Sequence, residues 1–264
     1  MGKSIIIFLS IGFGSAILSF LVEGGHAGAL LVGTAGLIVV GGTIGAVGVA
    51  FPMEELKRFV GSTKVAFKAH KEHIPELIVF FKKISLKSRK DGLMSIEQMI
   101  AEEGIDPFVK KGLQMVVDGV DYQNIKGNME LVMEMAHDRH KSGIEMYEAA
   151  GGFAPTMGII GTVMGLVHIL GSLEDPSGLG SKIAVAFIAT LYGVGSANLL
   201  YLPISARLKK IDHSEAVEKS FITEAILSIQ EGISPNVLEE KLKSYLDKET
   251  LKEYEKLAAA ESKV

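Results

Sequence analysis

The chain has 264 residues, of which 30 are glycine, and its mean hydropathy is +0.32. A soluble domain rarely combines such hydropathy with so much glycine, so the composition indicates a membrane protein. The net charge of −4 excludes a simple basic protein that binds nucleic acid. Because the chain has no cysteine, disulfide scaffolds, zinc-thiolate sites and iron–sulfur clusters are excluded as well.

Four apolar segments are each long enough to cross a bilayer as a helix, which takes about 20 residues. They cover residues 4–22, 27–53, 149–173 and 183–206, and the third contains one ionisable group, His168. The first segment is longer than the apolar core of a secretion signal, about 7 to 15 residues, and the second follows it closely. The sequence therefore predicts two membrane-spanning helical hairpins.

The basic residues indicate how these hairpins are oriented. Residues 51–150 carry 15 of the 27 Lys and Arg residues and residues 207–264 carry ten, whereas the short connections within the hairpins carry none. By the positive-inside rule both long segments and both termini are cytoplasmic. The predicted organisation is a hairpin at 4–53, a cytoplasmic domain at 54–148, a second hairpin at 149–206 and a cytoplasmic C-terminal segment at 207–264.

The cytoplasmic domain is predicted to be helical. Apolar residues recur at three- and four-residue spacing at Ile74, Leu77, Ile78, Phe81 and Ile84. Gly92 predicts a turn, Ser95 with Gln98 has the form of a capping box, and Asp106 predicts a helix start. The last helix of this domain, at residues 121–147, is expected to continue into the third span. The fold class is thus all-α, a polytopic membrane protein with a helical domain between its second and third spans.

The four apolar segments contain no Asp or Glu. A protein that moves cations by itself usually places a carboxylate or a similar group at membrane depth. Either this chain transports no ion, or the carboxylate comes from another polypeptide. An intramembrane enzyme would need several catalytic groups at that depth, which His168 alone does not supply, so no enzyme is predicted.

Small residues form one face on each of the last two spans. They are Ala154, Gly158, Gly161, Thr162 and Gly165 on the third span, and Ala186, Thr190, Gly193 and Ala197 on the fourth. Such faces let helices approach closely, so packing of the two helices is the simplest interpretation. Thr162 and Thr190 also offer hydroxyls, which either bond a carbonyl of their own helix, the commoner arrangement, or line a cation path. Pro155 and Pro203 each lie inside a span, as a static bend or as a hinge.

Three stretches carry a resemblance to a known family. Residues 153–168 (FAPTMGIIGTVMGLVH) resemble the third span of the flagellar stator family that contains MotA, PomA and MotP. Residues 189–204, with the motifs ATLYG and LPI, resemble its fourth span, and residues 87–97 (KSRKDGLMSIE) resemble its charged loop. The order of elements agrees, and the match covers nearly the whole chain.

The resemblance implies a motility protein of the bacterial inner membrane that uses no cofactor. It implies a pentameric ring around a dimer of a MotB-type subunit, which supplies the ion-binding Asp. Thr162, Thr190, Ala186 and Gly158 are then expected to face that subunit along the ion pathway. Threonine at positions 162 and 190 resembles the sodium-type members, whereas many proton-type members have alanine at the first position. Sodium is therefore favoured as the transported cation, with the proton left open.

The resemblance also implies roles for other residues. Pro155 and Pro203 match the prolines that couple ion passage to conformational change. Arg89 and Glu97, with Lys90 beside them, match the charges that contact the rotor protein FliG. Without the resemblance, Arg89 and Glu97 are explained as charges that complement helix dipoles. The alternative function is an energy transducer of the ExbB or TolQ type, but those relatives have three spans.

Overall fold

The computed structural model describes residues 2–68, 73–101, 104–171 and 179–261. Every regular element within these ranges is a helix, which confirms the predicted all-α class. In chain order the α-helices are α1 (Gly2–Val22), α2 (Gly33–Gly36), α3 (Gly42–Ala50), α4 (Met53–Leu56), α5 (Phe59–Phe67), α6 (Ile74–Asp91), α7 (Glu97–Ile100), α8 (Pro107–Val117), α9 (Tyr122–Leu170), α10 (Leu179–Ser196), α11 (Leu202–Gln230), α12 (Pro235–Lys243) and α13 (Lys248–Glu261). Shorter turns of 3₁₀ type lie at Ala27–Leu30 and Leu93–Ile96, and π turns lie at Leu37–Gly41 and Ala197–Tyr201.

Four helical stretches are long and apolar enough to cross a membrane, namely Ser4–Val22, Ala27–Ala50, Tyr122–Leu170 and Lys182–Gln230. This result confirms the four predicted spans. Helix α9 also confirms that the last helix of the predicted cytoplasmic domain continues into the third span. The helix of the fourth span continues in the same way through α11, beyond the end of the apolar segment at residue 206. The helix continues because no glycine or proline interrupts residues 204–231.

The chain divides into two compact units. The first, here called the membrane unit, comprises Met1–His70 and Arg139–Ile211, and the second, the helical unit, comprises Lys71–Asp138 and Asp212–Val264. This division describes compactness, whereas the predicted segments 54–148 and 207–264 describe the side of the membrane, which stays a prediction. The membrane unit has a small buried cluster made of Ala66, Ile144, Tyr147, Ile204 and Leu208.

The helical unit has the larger hydrophobic core. Its largest fully buried side chains include Phe81, Leu113, Ile125, Phe221, Ile226 and Leu238. The predicted apolar face of α6 is confirmed, since Ile78, Phe81 and Ile84 are fully buried. Burial of side chains of this size contributes about 1.5 to 3 kcal/mol each, so this core is the main source of stability of the unit.

Two of the predicted helix boundaries are correct and one is wrong. Helix α6 ends before Gly92, whose φ of +86° suits glycine, and α8 begins after Asp106, whose carboxylate accepts from Phe108 N at 2.7 Å. The capping box at Ser95 is wrong. Residues 93–96 form a 3₁₀ turn, within which Ser95 Oγ donates to the Gly92 carbonyl at 2.6 Å. Helix α7 therefore begins without a side-chain cap.

The carboxylate of Glu239 joins three helices of the helical unit. Glu239 lies on α12 and forms ion pairs with Lys82 of α6 and with Lys243 of its own helix, the second at 2.9 Å. Its carboxylate also accepts a hydrogen bond from Tyr254 Oη of α13 at 2.6 Å. Burial raises the pKa of Glu239, but the hydrogen bonds from these three side chains outweigh that effect and lower the pKa from 4.5 to about 2. The two C-terminal helices therefore brace α6 through one charge.

Replacement of Glu239 by glutamine is expected to lower the free energy of unfolding at neutral pH by on the order of 2 kcal/mol. The contribution of the carboxylate is fully present above the unfolded pKa of 4.5 and is lost as the pH falls towards 2. The difference between Glu239→Gln and the unaltered protein should therefore shrink over that range. Thermal unfolding in detergent at several pH values measures this difference.

Glu240→Gln is the matched control for this experiment. Glu240 also pairs with Lys243, but its side chain is 74% exposed. Water screens such a pair, so its loss should change stability little. Equal destabilisation by the two substitutions would contradict the bracing role of Glu239.

Candidate functional sites

The third and fourth spans touch through their backbones. A Cβ atom added at Gly158 would lie 2.8 Å from the Ala189 carbonyl oxygen, and one added at Gly193 would lie 2.5 Å from the Ala154 carbonyl oxygen. Gly165 faces Ala186 in the same way, since its Cβ would lie 2.6 Å from that of Ala186. These distances leave no room for a larger residue, and they confirm that the small faces pack the two helices together.

Two hydroxyls meet within this helix pair. Thr162 Oγ1 lies 3.1 Å from the Gly158 carbonyl of its own helix, 3.0 Å from the Ala186 carbonyl across the interface and 2.5 Å from Thr190 Oγ1. Both threonines are half-buried. The bond to the helix's own carbonyl, one of the two predicted arrangements, is therefore present, and a link between the helices accompanies it.

The threonine pair brings several oxygen atoms together between the two apolar helices. Hard cations prefer oxygen ligands, so the arrangement has the chemistry that a sodium path needs, and contact with an ion stays a prediction. Gly158 and Ala186 are buried against the partner helix, with Ala186 only 2% exposed, so both have a packing role within the chain. Their expected position facing a second subunit also stays a prediction. Within the described ranges no cluster of three His, Asp or Glu side chains is arranged to hold a metal ion.

The two prolines have different helical surroundings. Pro155 lies inside the long helix α9, whereas Pro203 is the second residue of α11, two residues after the end of the π turn Ala197–Tyr201. Proline lacks the N–H that would bond the carbonyl four residues before it, and its ring crowds that carbonyl. The wider π turn relieves this crowding at Pro203, and such turns are frequent at functional sites. A cleft of about 430 Å³ adjoins Pro203, while the hinge role of both prolines stays a prediction.

Three charged residues that were predicted to contact the rotor lie at one corner of the helical unit. Arg89 and Lys90 lie in the last turn of α6, and Glu97 lies in the first turn of α7. All three are exposed. These positions complement the helix dipoles, as the simpler interpretation requires, and they also leave the charges accessible to another protein.

The sequence reasoning missed a polar link between the second and fourth spans. Tyr192 Oη donates to the Leu30 carbonyl and accepts from Val32 N at 3.2 Å. The second span is irregular there, and backbone groups without partners are costly in lipid. Tyr192 satisfies two of them. A tyrosine among small residues in an apolar segment was the available signal, but its partners are more than 150 residues away.

Fold and site together define a four-span membrane protein with a tightly packed pair of helices and a separate helical unit that exposes charge. The profile of the MotA/TolQ/ExbB proton channel family matches residues 100–219, and that of the motility protein A N-terminal region matches residues 6–92. Motility protein A of Borreliella burgdorferi is 36% identical over 93% of this chain and 94% of its own length. The chemotaxis protein PomA of Vibrio alginolyticus is 36% identical over 89% of this chain and 92% of its own length.

A solved structure agrees with these matches. The chain is similar to a chain of the flagellar MotAB stator complex of Bacillus subtilis, with a TM-score of 0.88, 34% identity and coverage of 94% of this chain and 98% of that one. The chain therefore belongs to the motility protein A family, within the wider MotA/TolQ/ExbB proton channel family.

Proposed function

We propose that the chain is a stator subunit of the bacterial flagellar motor, which converts an ion-motive force into rotation. The observation that carries the proposal is the likeness, over 94% of the chain, to a subunit of a flagellar stator complex. The match of residues 6–92 to the motility protein A N-terminal region and the four spans favour this function over an ExbB- or TolQ-type transducer. The activity is transport and transduction rather than enzymatic catalysis.

The partner is a MotB-type subunit that contributes the ion-binding carboxylate. The four apolar segments of this chain contain no Asp or Glu, whereas a protein that moves cations usually has such a group at membrane depth. Five copies of the chain form a ring around a dimer of the partner. The cytoplasm contains residues 54–148, residues 207–264 and both termini, an orientation that the concentration of Lys and Arg in the long segments supports.

Rotation follows from contacts that change when the partner's Asp is charged or neutral. A bound ion shifts an equilibrium only if it favours one state over the other. Thr162 and Thr190 offer hydroxyls that interact more strongly with a charged group than with a neutral one. The helix pair changes shape near Pro155 and Pro203, and the charges at Arg89, Lys90 and Glu97 push on FliG.

Complementation tests this function. Cells that lack their own stators would receive this gene with the gene of its partner subunit, and swimming speed would be measured as external sodium varies at constant ionic strength. Rotation that scales with sodium supports a sodium stator, whereas rotation that depends only on the proton gradient supports a proton stator. Absence of rotation despite an inserted complex would contradict the proposal.

Reversal of the rotor-facing charges is expected to reduce torque severalfold. The variant Arg89→Glu with Glu97→Lys changes both contact charges, and membrane insertion should stay unaltered because charges at exposed positions contribute little to stability. In contrast, complementary charges across a reversible interface control how fast the two proteins associate and how they align. Bead assays on single motors measure the torque.

Lys126→Glu is the control for a charge change at a partly exposed lysine elsewhere in the helical unit. It lies on α9, and its side chain is 45% exposed. Unaltered torque in the Arg89 and Glu97 variant would rule out a rotor contact at this corner.

A further inference from the structure

Helix α5 packs against the inner ends of the third and fourth spans. It follows the second span after residues 51–58, which include α4. The Phe59 ring stacks on Tyr147 with ring centroids 4.6 Å apart, and Ala66 is fully buried. Arg207 Nε donates to the Ala66 carbonyl at 2.7 Å, which holds the C-terminal end of α5 in place.

These contacts set the depth of α5 relative to the bilayer. Tyr147 and Arg207 lie within two residues of the ends of the apolar segments 149–173 and 183–206. Tyrosine and arginine at such positions are typical of the boundary between hydrocarbon and headgroups. Helix α5, which contacts both residues, therefore lies at that boundary.

The outward surface of this region combines cations with apolar side chains. Lys57, Arg58, Lys64 and Lys68 are exposed, and none of the four forms an ion pair within the part of the chain that the structure describes. Val60 and Val65 are exposed between them, at 61% and 47%. This surface of six residues is called the α5 basic face below.

The acidic residues of the same segment do not neutralise this surface. Glu55 is half-buried and accepts from Ser142 Oγ at 2.7 Å, so its carboxylate points towards α9. Glu54 is exposed, which leaves one outward carboxylate for four outward cations. The region therefore presents a net positive charge at the depth of the lipid headgroups.

We propose that the α5 basic face binds the anionic headgroups of membrane phospholipids, such as phosphatidylglycerol. The cations meet the phosphate groups, while Val60 and Val65 enter the boundary with the acyl chains. Basic clusters close to a membrane-spanning helix attract anionic lipids, and apolar side chains beside them add to binding. An acidic protein would match the cations alone, whereas lipid matches the cations, the valines and the depth.

A fluorescent label on α5 tests the proposal. Because the chain has no cysteine, Gly61→Cys creates a single labelling site on an exposed glycine with open space around it. The full-length protein in its membrane assembly would be placed in nanodiscs of zwitterionic lipid. A small fraction of the lipid would carry a spin label on its headgroup, which quenches fluorescence on contact. This labelled lipid would be phosphatidylglycerol in one sample and phosphatidylcholine in the other.

The expected result is stronger quenching by phosphatidylglycerol, with a preference that weakens as salt is added. Removal of two charges in Lys57→Gln with Lys64→Gln should lower this preference by about 25-fold, since each cation near an anionic surface contributes about fivefold. Lys110→Gln with Lys111→Gln is the control, because both are exposed lysines of α8 in the helical unit.

Three results would overturn the proposal. Equal quenching by the two lipids would mean that the face does not select anionic headgroups. A preference that persists in the Lys57 and Lys64 variant would place the binding elsewhere. Absence of quenching by either lipid would mean that protein, such as a second copy of this chain, covers α5.

Discussion

Replacement of Gly193 by alanine is expected to abolish swimming and to lower the yield of assembled complex. The added Cβ would lie 2.5 Å from the Ala154 carbonyl oxygen and 3.0 Å from Gly158 Cα, so it meets backbone on both counts. A flexible side chain can move away from such a contact, but a helix backbone cannot. The third and fourth spans must then separate. Overpacking of a core destabilises a protein by about 1 to 3 kcal/mol. Because the added methyl group meets backbone, the destabilisation is expected at or above the upper end of that range.

Gly195→Ala is the matched control for Gly193→Ala. It lies on the same helix, and no atom lies within 4 Å of the position that its Cβ would take. Both substitutions add one methyl group and remove one helix glycine. A general effect of alanine on the helix is therefore the same in both variants and does not contribute to the difference between them. Complementation, complex yield and the thermal unfolding midpoint would be measured for both. Similar behaviour of the two variants would contradict the close approach of the spans at Gly193.

Loss of either hydroxyl in the threonine pair is expected to slow ion-driven rotation by about tenfold to a hundredfold. Valine has nearly the shape of threonine without its oxygen, so Thr162→Val and Thr190→Val remove the bond between Thr162 and Thr190 while they preserve packing. A hydrogen bond to a charged group contributes about 1.5 to 3 kcal/mol, which corresponds to that range of rates. Serine at either position keeps the hydroxyl and should restore most of the activity.

The comparison of valine and serine separates an ion-path role from packing alone. Rotation would be measured against external sodium for all four single variants, together with complex yield. A sodium-driven stator should lose its sodium response in the valine variants and keep it in the serine variants. Normal rotation of well-assembled valine variants would mean that the two hydroxyls only join the helices.

Local features of the chain were predictable because they depend on neighbouring residues. The four spans follow from length and apolarity, and the position of Arg89 and Glu97 at adjoining helix ends follows from the turn at Gly92. The failure at Ser95 has a local cause too, since capping-box residues were present but the backbone takes a 3₁₀ turn. Family membership could also be predicted, because each of its motifs is a continuous stretch of the sequence.

The amino-acid sequence alone is enough to show that small residues line one face of each of the last two spans, and that two threonines lie among them. The packed helices are needed to show that Gly158 and Gly193 contact the backbone of the opposite helix and that Thr162 bonds Thr190. Several small residues repeat along both helices, so their spacing permits more than one register. The register depends on the close fit of the whole interface.

Contacts between residues far apart in the sequence likewise could not be predicted from the sequence. Glu239 pairs with Lys82, and Tyr192 bonds the backbone at Leu30, across more than 150 residues in each case. A periodic pattern states which face of a helix is apolar, but it does not state which other helix covers that face. The partners of a polar side chain depend on that choice, which is made when the helices pack.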